Sequence, residues 1–140
     1  MNPSAAGHRT VPHTADVRVE AWGTTREQCI AEAVLGSVES FVDVSSVHPT
    51  GMQRCRLTAS SDEELLAAVL DEVIYLMETT GEVPVDVELE PREGEIDVRF
   101  AMVRAEESEQ VGAVPKAVSM HELSLAAGSG GWFCSVTLDV

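Results

Sequence analysis

The stretch "VPHTADVRVEAW", residues 11–22, places polar residues directly in front of a predicted strand. From Asp16 onward, valine and alanine alternate with arginine and glutamate, which is the two-residue period of a half-buried strand. A carboxylate at the start of such a strand can be a turn residue that hydrogen-bonds to its own backbone. It can equally be a ligand that a rigid element holds in place. The rest of the sequence has to decide between these two interpretations.

Charge is the most informative bulk property of the chain. Its 140 residues suit one domain with a buried core, and 24 acidic against 9 basic residues give a net charge of −15. Such a surface repels phosphate backbones, so we expect no direct binding to nucleic acid. It favours cations and basic protein partners, although solubility alone also explains it. No apolar run reaches the length of a membrane span, so we expect no membrane association.

The N-terminal residues and the cysteines indicate the compartment. The opening MNPSAAGHR lacks the apolar core of a secretory signal, and we assign residues 1–10 to a flexible leader before a single domain over 11–140. The cysteines are scattered, odd in number and without metal-type spacing: Cys29, Cys55 and Cys134. This usage is typical of reduced thiols, so we predict a cytoplasmic protein.

Hydrophobic periodicity predicts two helices and about six strands in the order βαβαββββ. The first helix begins with a capping-box pattern at Thr24 or Thr25, and the second begins at Ser60 or Ser61. The acidic segment 104–115 has no period and is predicted to be a loop. The predicted strands are 17–22, 52–60, 83–90, 95–103, 117–126 and 132–140. We therefore expect an α+β two-layer sandwich, in which two helices pack on a mixed, largely antiparallel sheet of about six strands.

Polar residues at the ends of predicted strands are the candidates for chemistry. The P-loop, GxGxxG, GxSxG, HExxH and CxxC motifs are all absent from the sequence. Asp16 begins the first predicted strand, and Asp139 ends the last one, directly before Val140. Two side-chain carboxylates and a terminal carboxylate form an oxygen-rich set that suits calcium or magnesium. Taken singly, each aspartate is more typical of a turn or edge residue.

Four further polar residues lie near these strand ends. His13 and Thr14 precede the first predicted strand, and Lys116 and His121 lie in "KAVSMHEL" at the fifth. A single histidine is more often a packed or hydrogen-bonded residue than a ligand. A lysine after a proline is by default a solvated loop cation. The residues alone therefore leave the role of these four open.

Three short motifs occur together and in order. They are "HTAD" at 13–16, "KAVSMHEL" at 116–123 and the final "LDV" at 138–140. With these motifs at these distances, the sequence from residue 12 to residue 140 resembles the archease family. Each motif alone is short, whereas the ordered set with the penultimate aspartate is specific.

The helical segments agree with this resemblance and also depart from it. "AEAVLG" at 31–36 and "VIYL" at 73–76 fit the family pattern. The second helix, however, lacks a tryptophan and an asparagine that archeases often carry, and Met120 replaces a common tyrosine. These departures concern packing and the local surface, and they leave the carboxylates in place.

The resemblance implies a protein cofactor rather than an enzyme. Archeases assist the RtcB-type RNA ligase of tRNA splicing and RNA repair by promoting its GTP-dependent guanylylation and its multiple turnover. The resemblance also implies a two-layer α/β fold and a divalent metal at Asp16, Asp139 and Val140. That metal is calcium in the first place, with magnesium or manganese as alternatives. Lys116 is implicated in activity, and the expected partner-facing residues are Lys116, His13, Thr14 and His121.

Three other functions stay open at this point. A small metal-dependent hydrolase would use Asp16 and Asp139 for the cation and His13 or His121 as general base. A general chaperone or modulator of RNA-modifying enzymes would bind several unrelated partners. A purely structural cation site would make the fold depend on the metal, because a bound metal stabilises by mass action.

Overall fold

The computed structural model describes residues 5–12 and 16–140 of the chain. In this part the chain forms two helices and nine strands, and every strand pair is antiparallel. In chain order the elements are β1 (Gly7–Pro12), β2 (Asp16–Gly23), α1 (Arg26–Glu39), β3 (Val42–Asp43), β4 (Gly51–Leu57), α2 (Asp62–Thr80), β5 (Glu82–Arg92), β6 (Glu95–Arg104), β7 (Glu109–Gln110), β8 (Ala117–Gly128) and β9 (Gly131–Asp139).

The α+β class is confirmed, and each of the six predicted strands has a counterpart in β2, β4, β5, β6, β8 or β9. Three strands, β1, β3 and β7, are additional. Residues 7–10 belong to β1, although the sequence pattern assigned them to a leader. The segment predicted as a loop contains a short 3-10 helix at Ala105–Glu107 and then β7, which pairs with β3.

The strands divide into sheets of four, three and two strands, where the sequence predicted one sheet of about six. Their orders are β1-β2-β9-β8, β4-β6-β5 and β3-β7. Helix α1 contacts β1, β2 and β9 of the four-stranded sheet and β5 of the three-stranded sheet. Helix α2 contacts β8 of the first and β4 and β5 of the second. Both helices therefore share their buried faces with two sheets, and the core lies along these contacts.

The helix ends follow the capping signals in the sequence. Thr25 is the N-cap of α1, and its side chain accepts a hydrogen bond from the Gln28 backbone N–H. Ser61 caps α2 in the same way through the Glu64 N–H. Each such cap contributes about 1 kcal/mol to helix stability. Neither helix of the described chain has the length and apolar content that crossing a membrane requires.

His8 holds β1 against α1. Its Nδ1 lies 2.8 Å from Glu32 Oε1, and its Nε2 lies 3.1 Å from Glu39 Oε1. Gly36 makes the approach possible, because a Cβ there would stand 3.0 Å from the His8 ring and 2.8 Å from Val19 Cγ1. Two charge-assisted hydrogen bonds therefore hold the edge strand β1 against α1 at the point where Gly36 has no side chain.

We expect the contribution of His8 to stability to decline as pH rises. Burial alone lowers the pKa of His8, but the hydrogen bonds and charges of Glu32 and Glu39 outweigh burial and raise the pKa above its usual 6.5. Stabilisation from a raised pKa is complete below the unfolded-state pKa and is lost as pH passes the folded-state pKa. The stability difference between the protein and H8Q should therefore be largest at about pH 6, below the unfolded-state pKa, and should shrink as pH rises through the raised folded-state pKa.

Urea unfolding midpoints measured across this pH range test the expectation. The exposed His48 provides the matched control, and H48Q should show no such pH-dependent difference. A difference for H8Q that stays constant, or grows with pH, would contradict the role given to Glu32 and Glu39.

Candidate metal centre

Asp16 and Asp139 lie directly opposite each other on neighbouring strands. β2 begins at Asp16, β9 ends at Asp139, and the register pairs their Cα atoms. Opposite residues of an antiparallel pair project from the same face, with Cβ atoms about 4.5–5.5 Å apart. The structure thus brings together two aspartates that are 123 positions apart in the sequence. Asp139 is exposed and Asp16 is partly buried.

The carboxylate pair lies on the outer face of the four-stranded sheet. Leu138 and Val136 of β9 alternate with Asp139 and belong to the buried core. On β2, Val19 is fully buried in the same core. Since side chains alternate across a strand, the face carrying Asp16 and Asp139 is the one turned away from the helices. Within the described residues, the pair therefore lies on the solvent-facing side of the sheet, where Asp139 is exposed and Asp16 is partly buried.

β8 holds the end of the chain from the other side. Ala117 pairs with Asp139, and the Lys116 backbone N–H donates to the Asp139 carbonyl oxygen at 2.7 Å. Lys116 is exposed, and Val140, the residue after the pair, is partly buried. Of the predicted site residues, Lys116 and Val140 therefore lie next to Asp139.

His121 is not brought to the carboxylate pair. β8 pairs with β9 at Ser119 and resumes at Ser124, so the residues between them bulge out opposite Val136. The His121 side chain is 90% exposed, and Glu122 beside it has a φ of 63°. Val136, the β9 residue opposite this bulge, is three residues before Asp139, which corresponds to about 10 Å at the usual rise of a strand. The other two predicted residues, His13 and Thr14, lie outside the described residues.

The two aspartates have no cationic partner in the described part of the chain. Asp97 on β6, another strand carboxylate, does have cationic partners. It accepts hydrogen bonds from Arg56 at 2.9 Å and from Arg92 at 2.7 Å. These contacts, Arg92 first, hold the pKa of Asp97 below its ordinary value. No ion pair within residues 5–12 and 16–140 involves Asp16 or Asp139. Like charges directly opposite in a sheet are destabilising, so this pair lacks the compensation that Asp97 has.

Thr137 is a further polar residue of this face that sequence reasoning missed. It lies two residues before Asp139, opposite Arg18 and Ser119. Its Oγ1 is buried and has no hydrogen-bond partner among the described residues. It is a buried unpaired hydroxyl on the same sheet face as the two carboxylates, and a bound water could satisfy it. A strand-face threonine is too common for the sequence alone to have identified it.

The donor set fits a hard divalent cation whose coordination is completed from elsewhere. Carboxylate oxygens are the ligands calcium prefers, and a cation between Asp16 and Asp139 removes their mutual repulsion. No three histidine, cysteine or acidic side chains converge on a metal position within the described ranges. The remaining ligands of such a cation would come from the terminal carboxylate, water or a partner.

Comparison with known proteins identifies the family. The Archease protein family (MTH1598/TM1083) is matched over residues 8–140. The chain belongs to the archease family. This archease is 56% identical over 137 residues to a probable protein archease of Mycobacterium tuberculosis strain H37Rv, covering 98% of this chain and 76% of the relative. It is 28% identical over 138 residues to protein archease of Archaeoglobus fulgidus, covering 95% and 98%.

Solved structures agree with the fold. The solution structure of Methanobacterium thermoautotrophicum protein 1598 superimposes with a TM-score of 0.77 at 23% identity, covering 96% of this chain and 99% of the other. The crystal structure of an archease, possible chaperone, from Thermotoga maritima gives 0.67 at 21% identity, covering 93% and 94%. At these identities the likeness shows the fold alone.

Calcium should reverse the effect of removing one carboxylate. In the presence of a metal chelator, the free energy of unfolding of D16N should exceed that of the unmodified protein by about 0.2–1 kcal/mol, because the repulsion between two like charges is removed. The urea midpoint of D16N should rise accordingly. At calcium 100 times above the dissociation constant, the unmodified protein should gain about 2.7 kcal/mol and D16N should gain little. D139N should behave as D16N does.

The exposed Asp86 of β5 offers the matched control, since D86N removes the same charge from the other large sheet. D86N should respond to calcium as the unmodified protein does. Equal calcium shifts in D16N and in the unmodified protein would show that the cation does not bind between these aspartates.

Proposed function

We propose that this archease is a non-catalytic cofactor of an RtcB-type RNA ligase in tRNA splicing and RNA repair. It promotes GTP-dependent guanylylation of the ligase and restores its multiple turnover. The observation that carries the proposal is the in-register pair Asp16 and Asp139 on an open sheet face. Each of the motifs "HTAD", "KAVSMHEL" and "LDV", which carry the resemblance to archeases, contributes one residue at or next to this pair: Asp16, Lys116 and Asp139.

The residues around the Asp16–Asp139 pair have separate roles in this proposal. Asp16, Asp139 and the Val140 carboxylate would hold the divalent cation, calcium first and magnesium or manganese as alternatives. When bound, the cation supplies a fixed positive charge that phosphate or carboxylate oxygens of the partner can contact. Lys116 adds an exposed side-chain cation next to the site. The rest of the partner-facing set is His13, Thr14 and His121.

The openness of the site supports a cofactor over an enzyme. The five main cavities of the described chain have volumes of about 10 to 500 Å³, and neither Asp16 nor Asp139 lines any of them. Small-molecule sites are concave and bury most of their ligand. A carboxylate pair on an exposed sheet face is better suited to docking against another protein, whose own groups would complete the metal site.

Charge supports a ligase as that protein. This chain carries a net charge of −15. A ligase that holds RNA ends and GTP needs a cationic, phosphate-binding cleft, and complementary potentials speed and orient such encounters. The same charge disfavours direct binding to RNA, so the proposed contact is with the ligase itself. The proposed role places the protein in the cytoplasm.

Removing either aspartate should strongly reduce stimulation of the ligase while leaving the fold intact. With the RtcB-type ligase of the same genome, GTP, a divalent cation and a cleaved tRNA, the unmodified protein should convert single turnover into multiple turnover. D16N and D139N should lower the turnover rate about tenfold or more, a loss of about 1.4 kcal/mol or more of activation. D86N should stimulate fully, and circular dichroism should confirm folding of all variants.

The other outcomes separate the competing functions. Full stimulation by folded D16N and D139N would reject the metal site as the basis of activation. Hydrolysis of a substrate without any ligase would favour the metal-dependent hydrolase. Equal stimulation of unrelated RNA-modifying enzymes would favour a general chaperone. Loss of folding in both variants, restored by calcium in neither, would favour a structural site.

A further inference from the structure

Cys29 and Cys134 lie close together inside the core, although the sequence places them near opposite ends of the chain. Cys29 lies on α1 and is 0% exposed, and Cys134 lies on β9 and is 6% exposed. Both side chains belong to the same buried hydrophobic cluster. Cys29 Sγ also lies 3.6 Å from the Ala21 carbonyl oxygen, and Ala21 is the β2 residue directly opposite Cys134. Both cysteines are free thiols in the structure.

We infer that Cys29 and Cys134 are a redox-sensitive pair that closes into a disulfide joining α1 to β9. A disulfide needs an S–S distance of about 2.05 Å and Cβ atoms about 3.5–4.5 Å apart. Because Cys29 Sγ contacts the backbone of Ala21 and Ala21 is the residue directly opposite Cys134, side-chain rotation and a small shift of α1 against β9 would bring the two sulfurs to this geometry. The inference stands on the core packing alone and does not depend on the proposed function.

The proximity of the thiols assigns them different roles. The neighbouring Cys134 thiol lowers the pKa of Cys29, against the opposing effects of burial and of Glu32. The same proximity, together with burial, raises the pKa of Cys134. Cys29 is therefore the thiol that reaches the thiolate form first, and the thiolate is the nucleophile.

Hydrogen peroxide is the oxidant class that suits a small, enclosed site. The Cys29 thiolate attacks one peroxide oxygen, the O–O bond breaks, and a sulfenic acid and hydroxide form. The Cys134 sulfur then attacks the sulfenic sulfur, the S–O bond breaks, and water leaves after taking up the Cys134 proton. In sum, two thiols and one peroxide give one disulfide and two waters. Because the sulfurs are buried, peroxide reaches them through local opening of α1 from β9.

Cys55 provides an internal control. It lies on β4 in the three-stranded sheet and is partly buried. Burial raises the pKa of Cys55 to about 11, so it stays a thiol at neutral pH. It should neither join the disulfide nor compete for peroxide.

The test is peroxide treatment of the folded protein, followed by alkylation of remaining thiols in denaturant and mass spectrometry. The reduced protein should take up three alkyl groups, one on each cysteine. The oxidised protein should take up one, on Cys55, and its digest should contain the Cys29–Cys134 cross-linked peptide. C55S should form the same cross-link, whereas C29S and C134S should form none.

The cross-link should also raise the urea midpoint of the unmodified protein and of C55S, because it closes a long loop of the unfolded chain. A thiol reductant should reverse both the cross-link and the shift. Three alkylated cysteines after peroxide, a cross-link that includes Cys55, or sulfinic acid on Cys29 without a cross-link would each overturn the inference. Comparing the unmodified protein with C55S keeps the test valid even where C29S or C134S folds poorly.

Discussion

The antiparallel register between β2 and β9 is the constraint on which the rest of the molecule depends. It sets Asp16 opposite Asp139 at one end and Ala21 opposite Cys134 near the other. A slip by one residue would turn every side chain of one strand to the other face. Val19 and Val136 are both fully buried on the inner face. Exposing such side chains costs about 1.5–3 kcal/mol each, so the core determines which residues meet at the surface.

Two glycines allow this pairing to close beside the helix. A Cβ at Gly23 would lie 2.7 Å from the Cys29 backbone nitrogen, and one at Gly131 would lie 2.6 Å from the Gly23 carbonyl oxygen. Gly131 also has a φ of 143°, a conformation that other residues rarely adopt. Close backbone approach at this end brings the first turns of α1 onto β2 and β9. It is this approach that places the Cys29 thiol close to Cys134.

Local pattern predicted the elements whose residues interact mainly with their sequence neighbours. The caps at Thr25 and Ser61 and the period of β2 are local signals, and the structure has them where the sequence indicates. β1 has no such signal, because what fixes it is His8 reaching Glu32 and Glu39 on a later helix. The division into separate sheets likewise depends on how α1 and α2 pack, which periodicity does not encode.

The site shows the same division between local and long-range information. Strand ends mark Asp16 and Asp139 as candidates, but only the register makes them neighbours. The sequence pattern predicted an uninterrupted strand over 117–126. In the structure the strand bulges after Ser119, and His121 lies on this bulge rather than at the pair. The proximity of Cys29 and Cys134 is equally invisible to spacing rules, which test for cysteines close in sequence.

The alternation of side chains along β9 places the two proposed sites of this strand on opposite faces of the sheet. Cys134 points into the core with Val136 and Leu138, whereas Asp139 projects from the opposite face. β2 and β8 hold β9 on both sides up to Asp139, including the bond from the Lys116 N–H to the Asp139 carbonyl. A cross-link at Cys134 therefore acts on the packing of α1 against the sheet, while the spacing of the carboxylates stays set by the strand pairing. The proposed redox pair and the proposed cation site therefore share one strand but lie on opposite faces of the sheet.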